Sequence, residues 1–303
     1  MKILVFTEKP FAPAAAKAIS EAIVASGNEA ALVEKGNRED LMKAVADADG
    51  LIVRSDIIDK EVMDNAPKLK VIVRAGAGYD NIDLAAATEH NICVMNTPGQ
   101  NSNAVAELAI GMMIYMARNT FKPGTGCELS GKRVGIHAYG NVGRLVANKA
   151  KALGMEVWAF DPFVPTEKME AEGVTVPATL EELYANCDYI SLHIPANEKT
   201  KGSINYELHS KMPKRGCLAN TARKEVIDEA GMEKLLADRA DLKYVTDIAP
   251  ANQEALEQFK PRFFATPKKQ GAETAEANMN AGLAAARQIV GFIQNGDVKF
   301  KVN

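Results

Sequence analysis

Short continuous apolar runs alternate along the chain with segments whose apolar positions recur every three or four residues. Such runs suit strands covered on both faces, and the periodic segments suit the helices that cover them. In the first hundred residues this predicts strands over Lys2–Phe6, Ala30–Val33, Leu51–Val53, Val71–Val73 and Ile92–Met95. Helices are predicted over Ala14–Ala25, Glu39–Ala46 and Asp59–Ala66, the first entered at Pro13, where a missing N–H costs nothing. After a turn cluster at Asn96-Thr97-Pro98-Gly99, residues Ala104–Met116 are apolar nearly all round, which predicts a helix buried between domains or subunits. The alternation then resumes, with strands over Arg133–Ala138, Met155–Phe160, Tyr189–His193, Gly216–Ala219, Tyr244–Thr246 and Phe263–Ala265, and a long last helix over Glu273–Gln294. Strands and helices in this order predict an α/β fold with parallel sheets covered on both faces.

A length of 303 residues favours two domains on a prior of about 150 residues each. A net charge of −3 offers no general field for nucleic acid or an anionic membrane, so an acidic ligand must be met by a local cluster of bases. The apolar run at the N-terminus is too short for a signal peptide, and no segment is long and apolar enough to span a membrane; a cytoplasmic protein is expected. Cys93, Cys127, Cys187 and Cys217 lack metal-ligand spacing, so no metal site is expected, and Cys93 and Cys217 read as reduced core thiols.

The most specific stretch is Gly131–Asp161, GKRVGIHAYGNVGRLVANKAKALGMEVWAFD. It reads as strand, glycine turn, helix (Val142 to about Leu153) and second strand, ending in an acidic residue 18 positions after Gly143. Gly140 would let the backbone approach a pyrophosphate, Gly143 would let helix and strand pack closely, and the helix N-terminus would hold the anion. Asp161 could accept from an adenosine ribose and repel a 2′-phosphate, which favours NAD over NADP. The fingerprint departs from G-x-G-x-x-G at its first position, Ala138.

Two strand ends in the first hundred residues carry polar groups, where ligands of open α/β sheets gather. Arg54 with Ser55 could hold a phosphate, and Gly76 and Gly78 could present backbone N–H groups to a carboxylate.

Laid end to end, Arg54-Ser55, VRAGAGYDNID (Val73–Asp83), MNTPGQNSNAVAEL (Met95–Leu108), the βαβ unit and NTARKEVID (Asn220–Asp228) resemble the D-2-hydroxyacid dehydrogenase family. Within it, the chain is similar to the short, lysine-type subset of phosphoglycerate dehydrogenases, which act in phosphorylated serine biosynthesis. The resemblance implies two doubly wound parallel-sheet domains, a Rossmann NAD domain (99–283) inserted into a flavodoxin-like substrate domain (1–98 and 284–303). It also implies NAD as cofactor, a small phosphorylated 2-hydroxy or 2-keto acid as substrate, and a homodimer formed through the NAD domain.

Residue by residue, the resemblance gives Arg223 the substrate carboxylate and the C2 carbonyl, and Asp247 the nicotinamide carboxamide. Arg54 and Ser55 match the phosphate pair, Arg74, Ala75, Gly76, Ala77 and Gly78 the carboxylate loop, and Asn101 a substrate contact. Tyr139, Gly140, Asn141, Val142, Gly143, Asp161, Pro162, His193, Ile194, Pro195, Thr221, Ala222 and Val105 fall on the cofactor side. Two positions depart from the usual family pattern. The acid/base histidine expected after Thr266-Pro267 is replaced by Lys268-Lys269, and its glutamate partner by Asn252. None of His90, His137, His193 and His209 stands where it could substitute, and the lysine-type pattern assigns the acid/base role to Lys269.

A lysine begins near pKa 10.4 and needs no carboxylate to be charged, in keeping with Asn at 252. To accept a proton during oxidation it must be shifted down by burial and by Arg223, so oxidation is expected to need more alkaline conditions than reduction. Alternatives are a glyoxylate/hydroxypyruvate reductase or D-lactate-type dehydrogenase and, in a different class, a non-catalytic NAD-sensing interaction protein. Against the last stand Arg54 and Arg223, because a sensor of NAD alone has no use for phosphate and carboxylate pockets.

Overall fold

The computed structural model describes all 303 residues and divides into two compact units, Met1–Asn101 with Glu273–Asn303, and Ser102–Ala272. The first unit holds strands β1 (Lys2–Thr7), β2 (Glu29–Glu34), β3 (Gly50–Val53), β4 (Val71–Arg74) and β5 (Cys93–Asn96). Its helices are α1 (Pro13–Ala25), α2 (Arg38–Val45), α3 (Lys60–Asp64), α4 (Leu84–Glu89) and, from the far end of the chain, α12 (Ala275–Asn295). The second unit carries β6 (Arg133–His137), β7 (Glu156–Phe160), β8 (Tyr189–Leu192), β9 (Cys217–Asn220), β10 (Lys243–Thr246) and β11 (Phe263–Ala265). Its helices are α5 (Ser102–Ala117), α6 (Asn141–Ala152), α7 (Thr166–Ala171), α8 (Leu180–Asn186), α9 (Tyr206–Ser210), α10 (Glu229–Asp238) and α11 (Gln253–Leu256).

Both sheets are parallel throughout, ordered β2-β1-β3-β4-β5 and β11-β10-β9-β8-β6-β7. The first is the flavodoxin-like order. In the second, a lone bridge from Trp158 to Thr175 stands where a Rossmann sheet has its third strand. The order reverses between β1 and β3 in one sheet and between β6 and β8 in the other, and these switch points are where ligands of such sheets bind.

The continuous apolar runs are buried as expected: every residue of β3, β8 and β9 is buried, and Leu4, Leu51, Ile72, Ile190 and Leu218 are fully enclosed. Cys93, Cys187 and Cys217 are buried free thiols. Side chains fix several helix starts: Asn37 and Asp40 form a reciprocal capping box at α2, and Asp59, Asp83, Thr179, Asn205, Asp228 and Thr274 each accept a backbone N–H in the first turn they cap.

Two expectations change, and a third gains detail. The second domain crossing, expected between 283 and 284, falls inside α12; the units divide at Ala272/Glu273, and α12 packs whole against α1, with Ala281, Ala285, Ala286 and Ile289 buried in the core shared with Ile19 and Ile23. Helix α5 also packs within its own unit, on α6, β9 and β10 through Ala106, Ala109, Met113 and Met116. A helix ending at His209 is expected from the sequence and is α9; α4, α7, α8, α10 and α11 are additional, and all but α10 are of seven residues or fewer, too short to show a period. No helix is long and apolar enough to cross a membrane.

Candidate active site

In the second unit the candidate site residues, Val105 of α5 apart, follow the carboxyl ends of β6 to β11. The chain leaves β6 at His137 and turns through Ala138, whose φ of +81° takes an alanine into the left-handed region. A glycine would sit there without strain, so the substitution at the fingerprint's first position keeps the turn and adds strain to it. Gly140 precedes α6 with no side-chain cap, and a methyl group placed on it would meet nothing within 4 Å. A Cβ on Gly143, by contrast, would lie 2.3 Å from the Ala138 carbonyl oxygen and 2.9 Å from Ile136 Cγ2. One glycine keeps the helix mouth open, and the other lets the helix pack on its strand. Asn141 and Val142 form the first turn of α6.

Asp161, just after β7, accepts the Tyr139 N–H at 2.7 Å and the Phe163 N–H at 2.9 Å, while Pro162 is exposed beside it. Across the switch point, His193 follows β8; its N–H donates to the His137 carbonyl, and its Nε2 lies 2.9 Å from the Ser191 hydroxyl. Burial, then His137 nearby, pushes the His193 imidazole down to about 3, so it is neutral and suited to contact rather than charge. Ile194 is buried and Pro195 exposed.

The end of β9 gathers the charged groups. Asn220 braces the following loop, donating to the Arg223 carbonyl at 2.9 Å and accepting the Ala222 N–H at 3.0 Å. Arg223 Nη1 donates to the Ala222 carbonyl oxygen at 3.0 Å, and Lys269 Nζ donates to the same oxygen. Asp247, after β10, is fully buried; its Oδ2 accepts the Gly271 N–H at 2.9 Å, which ties the Lys269 loop to it. Burial raises the Asp247 carboxyl, and Lys269, the Gly271 N–H and Arg223 oppose the rise in that order. Arg223, Lys269 and Asp247 thus form one electrostatic cluster. Lys269 is half-buried whereas Lys268 is exposed, a physical difference between the two adjacent lysines.

In the first unit, Arg54 follows β3 and is largely enclosed. Its Nη1 donates to the Lys9 and Pro10 carbonyls at 3.3 and 3.1 Å, its guanidinium lies 5.3 Å over the Phe11 ring, and Nη2 is 3.7 Å from Glu273 Oε1. Ser55 beside it is exposed. Arg74 Nε donates to the Arg54 carbonyl at 2.9 Å, so the two strand ends are tied together. Gly76 has φ +154°, and a Cβ there would fall 1.3 Å from Arg74 Nη1. One correction applies to the expected anion nest: the Gly76 N–H already donates to the Arg74 carbonyl at 2.9 Å, closing a tight turn, which leaves the N–H groups of Ala77 and Gly78 for a carboxylate. Ala75 is buried, its N–H bonded to the Val53 carbonyl. Asn101 is half-buried at the end of this unit.

The residues fit a dinucleotide. Thr221 Oγ1 and Asp247 Oδ1 are buried without a hydrogen-bond partner, although such groups are normally paired, and the first turn of α6 offers uncapped N–H groups beside an open Gly140. Val105, in α5, lies near Gly271 in the same region. Glu273 and Glu172 are the contacts that sequence reasoning missed; neither belongs to a motif, and only their partners reveal them. Asn252 donates to the Glu229 carbonyl at 3.0 Å, so its amide is held by α10.

Comparison with known proteins adds the family. Residues 3–303 match the model for D-isomer specific 2-hydroxyacid dehydrogenase, catalytic domain. The NAD+-bound 3-phosphoglycerate dehydrogenase of Entamoeba histolytica is similar in structure over 100% of this chain and 98% of its own, with 51% identity and a TM-score of 0.92. The D-3-phosphoglycerate dehydrogenase of Methanocaldococcus jannaschii is 38% identical over 83% of this chain and 51% of its own length. The hydroxypyruvate reductase of Thermotoga maritima is 36% identical over 83% of this chain and 87% of its own. The chain thus spans about half the length of several curated phosphoglycerate dehydrogenases it matches. On the whole-length match and these identities, the chain belongs to the D-isomer specific 2-hydroxyacid dehydrogenase family.

Proposed function

We propose that the protein is an NAD-dependent D-3-phosphoglycerate dehydrogenase, interconverting 3-phosphoglycerate and 3-phosphohydroxypyruvate in phosphorylated serine biosynthesis. The observation that carries this reading is the shared acceptor of Arg223 and Lys269, which sets a guanidinium and an ammonium side by side next to a buried carboxylate. A guanidinium can grip a carboxylate and polarise the adjoining carbonyl, while an ammonium can deliver a proton to the carbonyl oxygen as it is reduced. NAD would supply the hydride acceptor for C2 of the alcohol, and NADH the donor for the reverse direction. Thr221, Asp247 and the open mouth of α6 would hold it, and Asp161 would select the unphosphorylated ribose. Arg54, with Ser55, would bind the substrate phosphate, and Arg74 with the Ala77–Gly78 turn its carboxylate end.

A hydroxypyruvate or glyoxylate reductase is the second reading. It is supported by the Thermotoga maritima relative and by the partners Arg54 already has in Lys9, Pro10 and Glu273, which leave fewer donors for a phosphate. NADH consumption with 3-phosphohydroxypyruvate against hydroxypyruvate separates the two. A kcat/KM at least tenfold higher for the phosphorylated acid supports the first, and equal use of both supports the second. A homodimer, expected from the family, is checked by sedimentation equilibrium.

A further inference from the structure

Ala138 raises a physical question: what holds a non-glycine residue at φ +81° in the turn? Strained backbone persists only where its surroundings over-determine it. The next residue, Tyr139, is fully buried, and three contacts fix it. Its N–H donates to Asp161 at 2.7 Å, its hydroxyl donates to Glu172 Oε2 at 2.9 Å, and the Arg144 guanidinium lies 5.4 Å over its ring. Glu172 follows α7, and its other oxygen, Oε1, is 3.8 Å from Arg144 Nε. The Glu172 carbonyl in turn accepts from Lys151 Nζ on α6. One glutamate therefore closes a ring of contacts through the tyrosine in the turn and the arginine in the first turns of α6.

Resting on the reading of this turn as a dinucleotide site, we propose that Glu172 is a positioning residue for cofactor binding, holding the strained Ala138–Gly140 backbone through the Tyr139 hydroxyl and the Arg144 guanidinium. A buried phenol needs a partner for its hydroxyl, and a carboxylate is a stronger acceptor than a neutral oxygen. Without Glu172 the ring keeps its packing, but the turn loses the contact that opposes its strain. The helix mouth is then free to relax away from the pyrophosphate-binding geometry.

Direct NADH titration by calorimetry, with the melting temperature of each variant measured alongside, tests this. Tyr139→Phe and Glu172→Gln are each expected to weaken NADH binding about tenfold, and Glu172→Gln to leave kcat at saturating NADH unchanged. Ala138→Gly in the Tyr139→Phe background is expected to restore the affinity to within about threefold, because an unstrained turn needs no clamp. Unaltered affinity in both single variants, or no recovery in the double variant, would overturn the proposal. A loss of affinity that merely tracks a fall in melting temperature would do the same. If the unaltered protein does not bind NADH, the cofactor reading itself fails, and this inference with it.

Discussion

Arg223 and Lys269 donate to one and the same acceptor, the carbonyl oxygen of Ala222. Two cations meeting at one neutral oxygen repel each other, and the buried Asp247 carboxylate offsets the repulsion. The arrangement suits a substrate that brings an anionic group of its own.

Lys269→Ala is expected to lower kcat by about 10²- to 10⁴-fold, the usual worth of a general acid, with NADH affinity within about twofold of the original. Lys268→Ala should leave kcat unchanged, since Lys268 is exposed. Stopped-flow reduction of 3-phosphohydroxypyruvate provides the check, and full turnover by Lys269→Ala would remove that residue from the chemistry. The pH optimum for oxidation is expected to lie above that for reduction, since only oxidation needs the lysine as a base.

Arg54 offers a test of the substrate. Losing a charge-assisted contact costs about 1.5–3 kcal/mol, so Arg54→Ala should raise KM for 3-phosphohydroxypyruvate by about 10- to 150-fold and leave that for hydroxypyruvate nearly unchanged. Glu273 approaches the same guanidinium, so Glu273→Gln should lower KM for the phosphorylated acid. Equal shifts in KM for both acids would count against phosphate binding at Arg54.

Acid stability follows from three histidines, His137 and His209 buried and His193 half-buried. Burial, the largest cause in each, pushes His137 down to about 4 and His193 and His209 down to about 3. The unfolded chain binds these protons near pH 6.5 and the folded chain does not, so stability is complete above 6.5 and is lost as pH falls towards the folded values. Each histidine that stays unprotonated in the folded state adds up to about 1.4 kcal/mol per pH unit to the fall in stability below pH 6.5. His209 has no hydrogen-bond partner on either ring nitrogen, so His209→Leu should raise the melting temperature at pH 5 more than at pH 8. An equal change at both pH values would show that the imidazole's protonation contributes nothing.

Gly143→Ala should reduce stability by about 1–3 kcal/mol, since the new methyl overlaps the Ala138 carbonyl and Ile136. Chemical denaturation measures this directly. NADH affinity should fall with it, because relief of the overlap moves α6 away from the turn.

How much was legible beforehand varied with the range of the interaction. Strands such as Leu51–Val53 and Tyr244–Thr246 could be read because burial on both faces leaves a continuous apolar signature within a few residues. Arg54 could be singled out because strand ends are where an open sheet binds, whereas Arg223 and Asp247 were pointed to by the family resemblance; β3, β9 and β10 end beside the three. The short helices α4, α7 and α8 had too few turns to show a period.

By itself, then, the order of apolar runs and glycines determined two parallel α/β sheets, a dinucleotide-type turn and the strand ends that carry charge. Contacts between residues far apart in the chain were decided only by the tertiary structure: the common acceptor of Arg223 and Lys269, the Glu273 carboxylate near Arg54, and Glu172 holding the Tyr139 turn. The physical reason is that periodicity records which face of an element is buried. Which side chain meets which across 33 or 219 positions, as between Tyr139 and Glu172 or between Arg54 and Glu273, depends on how the elements pack.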